Sequence, residues 1–314
     1  MTIPIVDLGS GRPDDLPRLA GELGAACRGP GFFYLVGHGV PASQRAATFA
    51  VASELFALAP ESKEAISITR SPHNRGYVGF GTETLDPTKP ADLKEAFNVG
   101  LDLAPDHPDV VAGLPFRGAN LWPDLPGFKE TMLAWYDACW GVGRRVHRAL
   151  AVDLGLPPDY FEDKLDRPMA TLRVLHYPPR PESARAGALG AGEHTDYGNL
   201  TLLTTGSVPG LEVRTRDRQW LRAPIVEDAF VCNIGDCLMR WTNDVYVSTP
   251  HRVVSPGGVD RPSIAFFLDP NPDAVVECLP GCSSLERPPR YPAITGADYL
   301  RQRLDATYAH RRTG

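Results

Sequence analysis

Cysteine is scarce in this chain. Its six residues in 314 (Cys27, Cys139, Cys232, Cys237, Cys278, Cys282) are too few and too dispersed for a disulfide scaffold. Cys278 and Cys282 have the spacing of half a zinc motif, but no second half lies nearby, so buried or idle thiols are expected. Blocks of positive charge are also missing: the net charge is −6, with Lys and Arg scattered. That argues against nucleic acid or an anionic membrane as partner, since either calls for a basic stripe. No apolar run approaches the roughly 18 residues that span a bilayer. The opening Met1-Thr2-Ile3-Pro4 lacks the basic and apolar regions of a secretory signal, so a cytoplasmic protein is expected. The glycines at 187, 190 and 192 open no helix and make no nucleotide loop. There is no internal repeat and no convincing linker. Length alone would allow two domains, but one domain over 1–314 is expected.

What is present divides by texture. The first part, about 1–165, reads as helix-rich: a strand near 3–7, a helix near 14–28, an apolar β-rich run at 32–36 and a helix near 42–58. Phe128, Met132, Trp135, Cys139, Val142, Val146 and Leu150 recur at three and four residues, one face of a long core-facing helix that Gly155 and Pro157 end. From about 171 the chain breaks into short runs rich in Val, Ile, Leu, Thr and Phe, at 171–176, 200–205, 211–215, 229–234, 252–255, 262–268 and 274–278. Close-spaced strands without helical periods between them argue for an antiparallel sandwich or barrel. The expected fold class is mainly β with flanking helices: a double-stranded β-helix (jelly roll, cupin-like) core over about 166–280, behind an α-rich N-terminal half and followed by a C-terminal helix near 296–310. The stretch 71–91 reads as a long irregular connection, either a lid or a plain solvated loop.

The chemistry concentrates in Glu193-His194-Thr195-Asp196-Tyr197-Gly198. On extended backbone, positions i and i+2 share a face, so His194 and Asp196 can grip one ion. His251, on a neighbouring strand, would complete a set of two imidazoles and one carboxylate, leaving about three of six octahedral positions open. A closed structural zinc site would need four ligands, usually with thiolates, and no cysteine sits beside these histidines. Taken alone, Asp196 could equally serve an Asx-type turn ahead of Gly198. Farther on, Arg261-Pro262-Ser263 offers a planar fork and a hydroxyl two residues apart on one strand face.

In this order the chain resembles the iron(II)/2-oxoglutarate-dependent oxygenases of the isopenicillin N synthase type. The likeness covers nearly the whole length. Besides the metal run and Ser248-Thr249-Pro250-His251-Arg252-Val253, it is carried by Ile3-Pro4-Ile5-Val6-Asp7-Leu8, Gly31-Phe32-Phe33-Tyr34-Leu35-Val36-Gly37-His38-Gly39 and Asp92-Leu93-Lys94-Glu95-Ala96-Phe97. Leu172-Arg173-Val174-Leu175-His176-Tyr177-Pro178-Pro179 and Asn233-Ile234-Gly235-Asp236 complete it. The resemblance implies the jelly-roll fold, Fe(II) at His194, Asp196 and His251, and 2-oxoglutarate with its distal carboxylate on Arg261 and Ser263. It further implies dioxygen as oxidant, succinate and CO2 as products, and a small-molecule substrate oxidised by default through hydroxylation. The charges of a divalent ion, Asp196, a keto diacid and Arg261 cancel, as a water-poor pocket requires. The iron assignment rests on the resemblance, since Ni(II), Cu(II) or Zn(II) would bind such ligands as well or better.

The chain also departs from the pattern. Many members carry Asn and Tyr where Leu175 and His176 stand, which removes one expected contact to the keto acid and leaves Tyr177 as a wall of its pocket. Arg75, Tyr77 and Phe97 fall in segments that border the pocket in relatives, and Trp241 is expected at the barrel mouth, so these four are the candidate substrate contacts. Asp236 is expected to serve a turn, and His38, His73, His107, His147 and His310 to be structural or solvent-facing. Two rivals remain: an Fe(II) oxidase or oxidative cyclase that uses dioxygen without 2-oxoglutarate, and a non-catalytic cupin-type binding module. A monomer is expected.

Overall fold

The computed structural model describes residues 2–9, 13–82, 94–179, 190–254 and 258–307. In chain order its elements are β1 (Ile5–Asp7), α1 (Leu16–Arg28), β2 (Phe32–Val36), α2 (Ala42–Phe56), α3 (Pro60–Glu64), β3 (Gly76–Val78), β4 (Glu95–Gly100), α4 (Pro108–Val111) and α5 (Phe128–Asp153). There follow β5 (Thr171–Tyr177), β6 (Ala191–His194), β7 (Leu200–Thr205), β8 (Leu211–Arg214), β9 (Trp220–Arg222), β10 (Phe230–Ile234), α6 (Asp236–Trp241), β11 (His251–Val253), β12 (Arg261–Leu268), β13 (Val275–Val276), β14 (Ile294–Thr295) and α7 (Gly296–Thr307). Mostly β sheet with seven helices among the described residues, the chain forms one eight-stranded sheet, β1-β2-β10-β7-β12-β5-β4-β3, and one four-stranded sheet, β6-β11-β8-β9. Only β1 and β2 pair in parallel within them. A further pair, β13 and β14, stands apart.

The large sheet is buried on both faces, and the two faces do different work. On β12, Ile264, Phe266 and Leu268 belong to the main apolar core, while Arg261, Ser263, Ala265 and Phe267 line a cavity between the two sheets. The period of two along a strand makes that division. The stripe read from 128 to 150 becomes α5 and covers the core face: Tyr136 meets Phe266 edge-on at 5.1 Å, and Trp135 meets Phe230 at 5.8 Å. Because both faces are covered, β10 is buried at every position and shows no alternation in its sequence. The largest apolar cluster draws residues from Val6 to Tyr299, and three smaller ones accompany it. Five of the six cysteines are buried and all are free thiols.

Residues before 165 hold five helices and, besides β1 and β2 where strands were expected, β3 and β4, all four hydrogen-bonded into the large sheet. One expectation needs correction. The irregular connection expected over 71–91 contains β3, and its residues 83–91 lie outside the described residues. The C-terminal helix falls where expected as far as Thr307, and residues 308–310 are likewise outside. No described helix is long and apolar enough to cross a membrane.

Helix α5 packs against β12 at Gly143, where an added Cβ would stand 2.6 Å from Leu268 Cδ2. Gly143→Val is expected to cost about 1–3 kcal/mol through overpacking, seen in urea unfolding as a lower midpoint with an unchanged slope.

Candidate metal centre

Strands β6 and β11 run antiparallel with His194 directly opposite His251, which sets their rings 4.4 Å apart. Beyond the end of β6 the chain brings Asp196 back to the pair: Asp196 Oδ1 lies 3.8 Å from His194 Nε2 and 3.7 Å from His251 Nε2. One potential ligand atom from each residue lies within 4.8 Å of the others, and all three residues line the cavity. The loop is held tightly. Asp236 N donates to Asp196 O at 2.8 Å, and a Cβ at Gly235 would stand 2.3 Å from Gly198 O, so only glycine allows that approach.

Hydrogen bonds orient each donor. His194 Nδ1 donates to Gly192 O at 2.7 Å and His251 Nδ1 to Thr249 O at 3.1 Å, which leaves both Nε2 lone pairs for an ion. Asp196 Oδ2 accepts from Thr201 Oγ1 at 2.5 Å and Asn233 Nδ2 at 2.8 Å, so Oδ1 is the oxygen left for the centre. Burial pushes the His194 imidazole down to about 4, with the neighbouring His251 adding to the effect. For Asp196 burial works against ionisation, but His251, His194 and the two hydrogen bonds outweigh it and hold the carboxyl below the usual range. Two nitrogens and one oxygen with no thiolate suit Fe(II), and the adjoining cavity leaves room for further ligands.

At one end of that cavity, Arg261 opposes Tyr177 across β12 and β5, with its guanidinium 5.1 Å from the Tyr177 ring centre. Arg261 is 1% exposed, and among the described residues its Nε and Nη1 have no hydrogen-bond partner. Burial lowers its affinity for the proton, with Tyr177 working against that, yet a guanidinium stays charged. A buried cation without an anion is costly, and a carboxylate from outside the chain would relieve it. Ser263, on the same strand face, is buried beside it and also lines the cavity.

Arg75, Tyr77, Phe97 and Trp241 are not among the described residues that line this cavity. Phe97 packs edge-on against Phe128 at 5.6 Å, because the pleat of β4 sends its neighbour Asn98 inward instead. The Tyr77 hydroxyl donates to Glu95 at 2.6 Å. Arg75 lies against Gly100 and donates to the Phe116 carbonyl at 3.3 Å, and Trp241 packs in the core against Phe161. The cavity lining that sequence reasoning missed includes Asn74, Lys94, Asn98, Arg173, Tyr197, Asp269 and, from α7, Leu300 and Leu304. Counting back by two from Tyr177 would have found Leu175, Arg173 and Thr171, and counting on by two from Ser263 would have found Ala265, Phe267 and Asp269, whereas the α7 leucines carry no local signal. Burial, with Asp196 adding its charge, pushes the Asp269 carboxyl up to about 8.

Leu175 faces the cavity and His176 the opposite side of the sheet. There His176 Nδ1 donates to Glu95 at 2.7 Å and Nε2 to Asp260 at 2.5 Å, with Phe56 stacked on the ring at 5.1 Å. Glu95 also accepts from Lys63 at 2.8 Å. His176 therefore ties the residue before Tyr177 to the residue before Arg261. Asp236 is neither a third carboxylate of the centre nor a mere turn residue: it accepts from Thr195 Oγ1 at 2.9 Å and pairs with Arg303 of α7 at 2.7 Å. His38 and His147 bond backbone carbonyls, and His107 accepts from the Asp109 N–H at the start of α4. His310 is outside the described residues.

The hydrogen bond to Glu95, then that to Asp260, raises the His176 pKa. Its contribution to stability is thus complete below the unfolded value near 6.5 and is lost as pH rises through the raised one. Thermal midpoints should fall across that window in the native protein, and His176→Gln should remove this part of the slope.

Comparison with known proteins agrees with this geometry. Residues 3–125 match the family described as non-haem dioxygenase in morphine synthesis N-terminal, and 168–270 match the 2OG-Fe(II) oxygenase superfamily. A 2-oxoglutarate-Fe(II) type oxidoreductase of Emericella nidulans is 36% identical over 298 residues, covering 93% of this chain and 85% of its own. Among solved structures, a 2OG-Fe(II) oxygenase family protein from Caulobacter crescentus superposes with a TM-score of 0.86 at 37% identity, covering 97% of this chain and 99% of its own. A full-length Neurospora crassa protein in complex with alpha-KG and thymine superposes at 0.85 with 34% identity, covering 97% and 96%. The chain belongs to the 2OG-Fe(II) oxygenase superfamily and is a 2-oxoglutarate-dependent dioxygenase with an Fe(II)-binding triad.

Proposed function

We propose that the protein hydroxylates a small molecule, with His194, Asp196 and His251 holding Fe(II) and Arg261, Ser263 and Tyr177 holding 2-oxoglutarate. The observation that carries the co-substrate assignment is Arg261, a buried cation with two unpartnered nitrogens facing a cavity that also holds the triad. Its planar fork matches a carboxylate, Ser263 adds a hydroxyl donor from the same strand face, and the Tyr177 ring walls the guanidinium. Structures of relatives that contain alpha-KG favour this over a reading in which Arg261 binds the substrate's own carboxylate. Thymine and 5-formyluracil in two of them favour a small-molecule substrate. We read the two facing sheets as a jelly roll within a single domain, a reading supported by the largest apolar cluster, which draws residues from Val6 to Tyr299.

When bound at the triad, Fe(II) supplies the redox chemistry by which dioxygen converts 2-oxoglutarate to succinate and CO2 and leaves one oxygen atom for the substrate. The chain's residues prepare for this. Asp196 is kept ionised and His194 neutral, so both can ligate at neutral pH. Arg261 and Ser263 fix the far end of the keto acid. Phe32, Leu203, Leu211 and Val253 line the cavity with apolar surface that excludes water.

The test is dioxygen uptake that depends on 2-oxoglutarate and is matched by succinate release. Arg261→Ala should weaken 2-oxoglutarate binding by about 2–5 kcal/mol, because it strands a desolvated carboxylate. Arg261→Lys should not restore it, since an ammonium lacks the fork. Wild-type affinity in either variant, measured calorimetrically on metal-loaded protein, would refute the clamp.

A further inference from the structure

The cavity is longer than its co-substrate. On β5 the cavity-facing residues are Tyr177, Leu175, Arg173 and Thr171, and each heads a row across the sheet. Tyr177 is opposite Arg261, Leu175 opposite Ser263, and Arg173 lies between Asn98 and Ala265. Tyr177 and Arg173 are four positions apart on the strand, about 13 Å along the sheet. A 2-oxoglutarate anchored at Arg261 extends roughly 6 Å by ordinary carbon–carbon bond lengths. It is shorter than that span, so the Arg173 row would border a second molecule.

The chemistry of that row is specific. Asn98 is 1% exposed, and its Nδ2 points at the Asn74 carbonyl at 3.4 Å, so its Oδ1 is presented as an acceptor. Among the described residues, the buried Oδ1 atoms of Asn98 and Asn74 have no hydrogen-bond partner. Buried acceptors without donors are costly, and a ligand carrying N–H groups would satisfy them. Arg173, on the same row, is buried and lines the cavity as well. The rings of Phe267 and Tyr197, with Leu300 and Leu304 of α7, add flat and apolar surface to the same cavity.

We propose that the end of the cavity at Asn74, Asn98 and Arg173 is the subsite for the molecule that is oxidised, and that it selects a small, neutral, planar ring with N–H donors beside carbonyl acceptors, a lactam or cyclic imide. This rests on the dioxygenase reading of the site and names the substrate class for it. A carboxylate would meet Arg173 and Lys94 but would turn acceptors toward the two asparagine oxygens, and it is the rival outcome of the test.

The test is calorimetric titration of the whole protein, anaerobic and loaded with Fe(II) and 2-oxoglutarate, with uracil, 1,3-dimethyluracil and benzoate. Uracil should bind at least about tenfold more tightly than either of the others, the loss expected when buried acceptors are left unpaired. Asn98→Leu should weaken uracil by a similar factor while 2-oxoglutarate affinity stays unchanged. Asn74→Ala, in a loop before β3, gives the same readout without altering a strand. Benzoate binding as tightly as uracil, indifference to N-methylation, or binding of 2-oxoglutarate but of none of the rings would overturn the assignment. If 2-oxoglutarate itself fails to bind, the dioxygenase reading falls. The comparison of uracil with its dimethyl form, repeated without 2-oxoglutarate, then decides the subsite separately.

Discussion

Buried charge without an internal counterpart is the constraint on which this site depends. Arg261 carries a positive charge into a cavity where the described residues give two of its nitrogens no acceptor. In the same cavity the buried Asp196 carboxylate converges with two imidazole nitrogens, a cluster of donors that carries a negative charge. Protein interiors do not tolerate either arrangement without recompense. A divalent cation and a dicarboxylate satisfy both at once, and their combined charge leaves the pocket neutral.

The fold achieves this by giving the two faces of one sheet opposite tasks. Ile264, Phe266 and Leu268 on β12 are locked against α5, while the alternating Arg261, Ser263, Ala265 and Phe267 form the cavity wall. Rigidity on the core face fixes direction on the other. Behind the clamp, His176 joins Glu95 to Asp260 and so fixes the residues adjacent to Tyr177 and Arg261. Across the cavity, pairing of β6 with β11 places His194 opposite His251, and Thr201 and Asn233 turn the Asp196 carboxylate toward them. Strand register and hydrogen bonds to the other side of each donor therefore position the centre.

The residues proposed for the metal and the clamp could be picked out because their signal is local, and the structure brings them to one cavity. His194 and Asp196 lie two apart, as do Arg261 and Ser263, and such spacing survives any arrangement of the rest of the chain. The long stripe on α5 was legible for the same reason. Substrate contacts were not, since they depend on which of two neighbouring residues faces inward. Phe97 was expected and Asn98 found, a difference of one position that changes the face of the sheet. Trp241 was expected at the cavity mouth, but α6 turns it into the core. Strands β3 and β4 escaped notice because β4 is buried at every position and β3 is only three residues long. The α7 leucines reach the cavity through tertiary packing, which no sequence period encodes.

The most direct measurement is an anaerobic titration of the protein with Fe(II) and then 2-oxoglutarate, followed by visible absorption. A metal-to-ligand charge-transfer band is expected that appears only when both are present, saturates at one equivalent of each and is lost when Asp196 is replaced by Ala. Absence of the band, or 2-oxoglutarate binding that is indifferent to the metal, would contradict it.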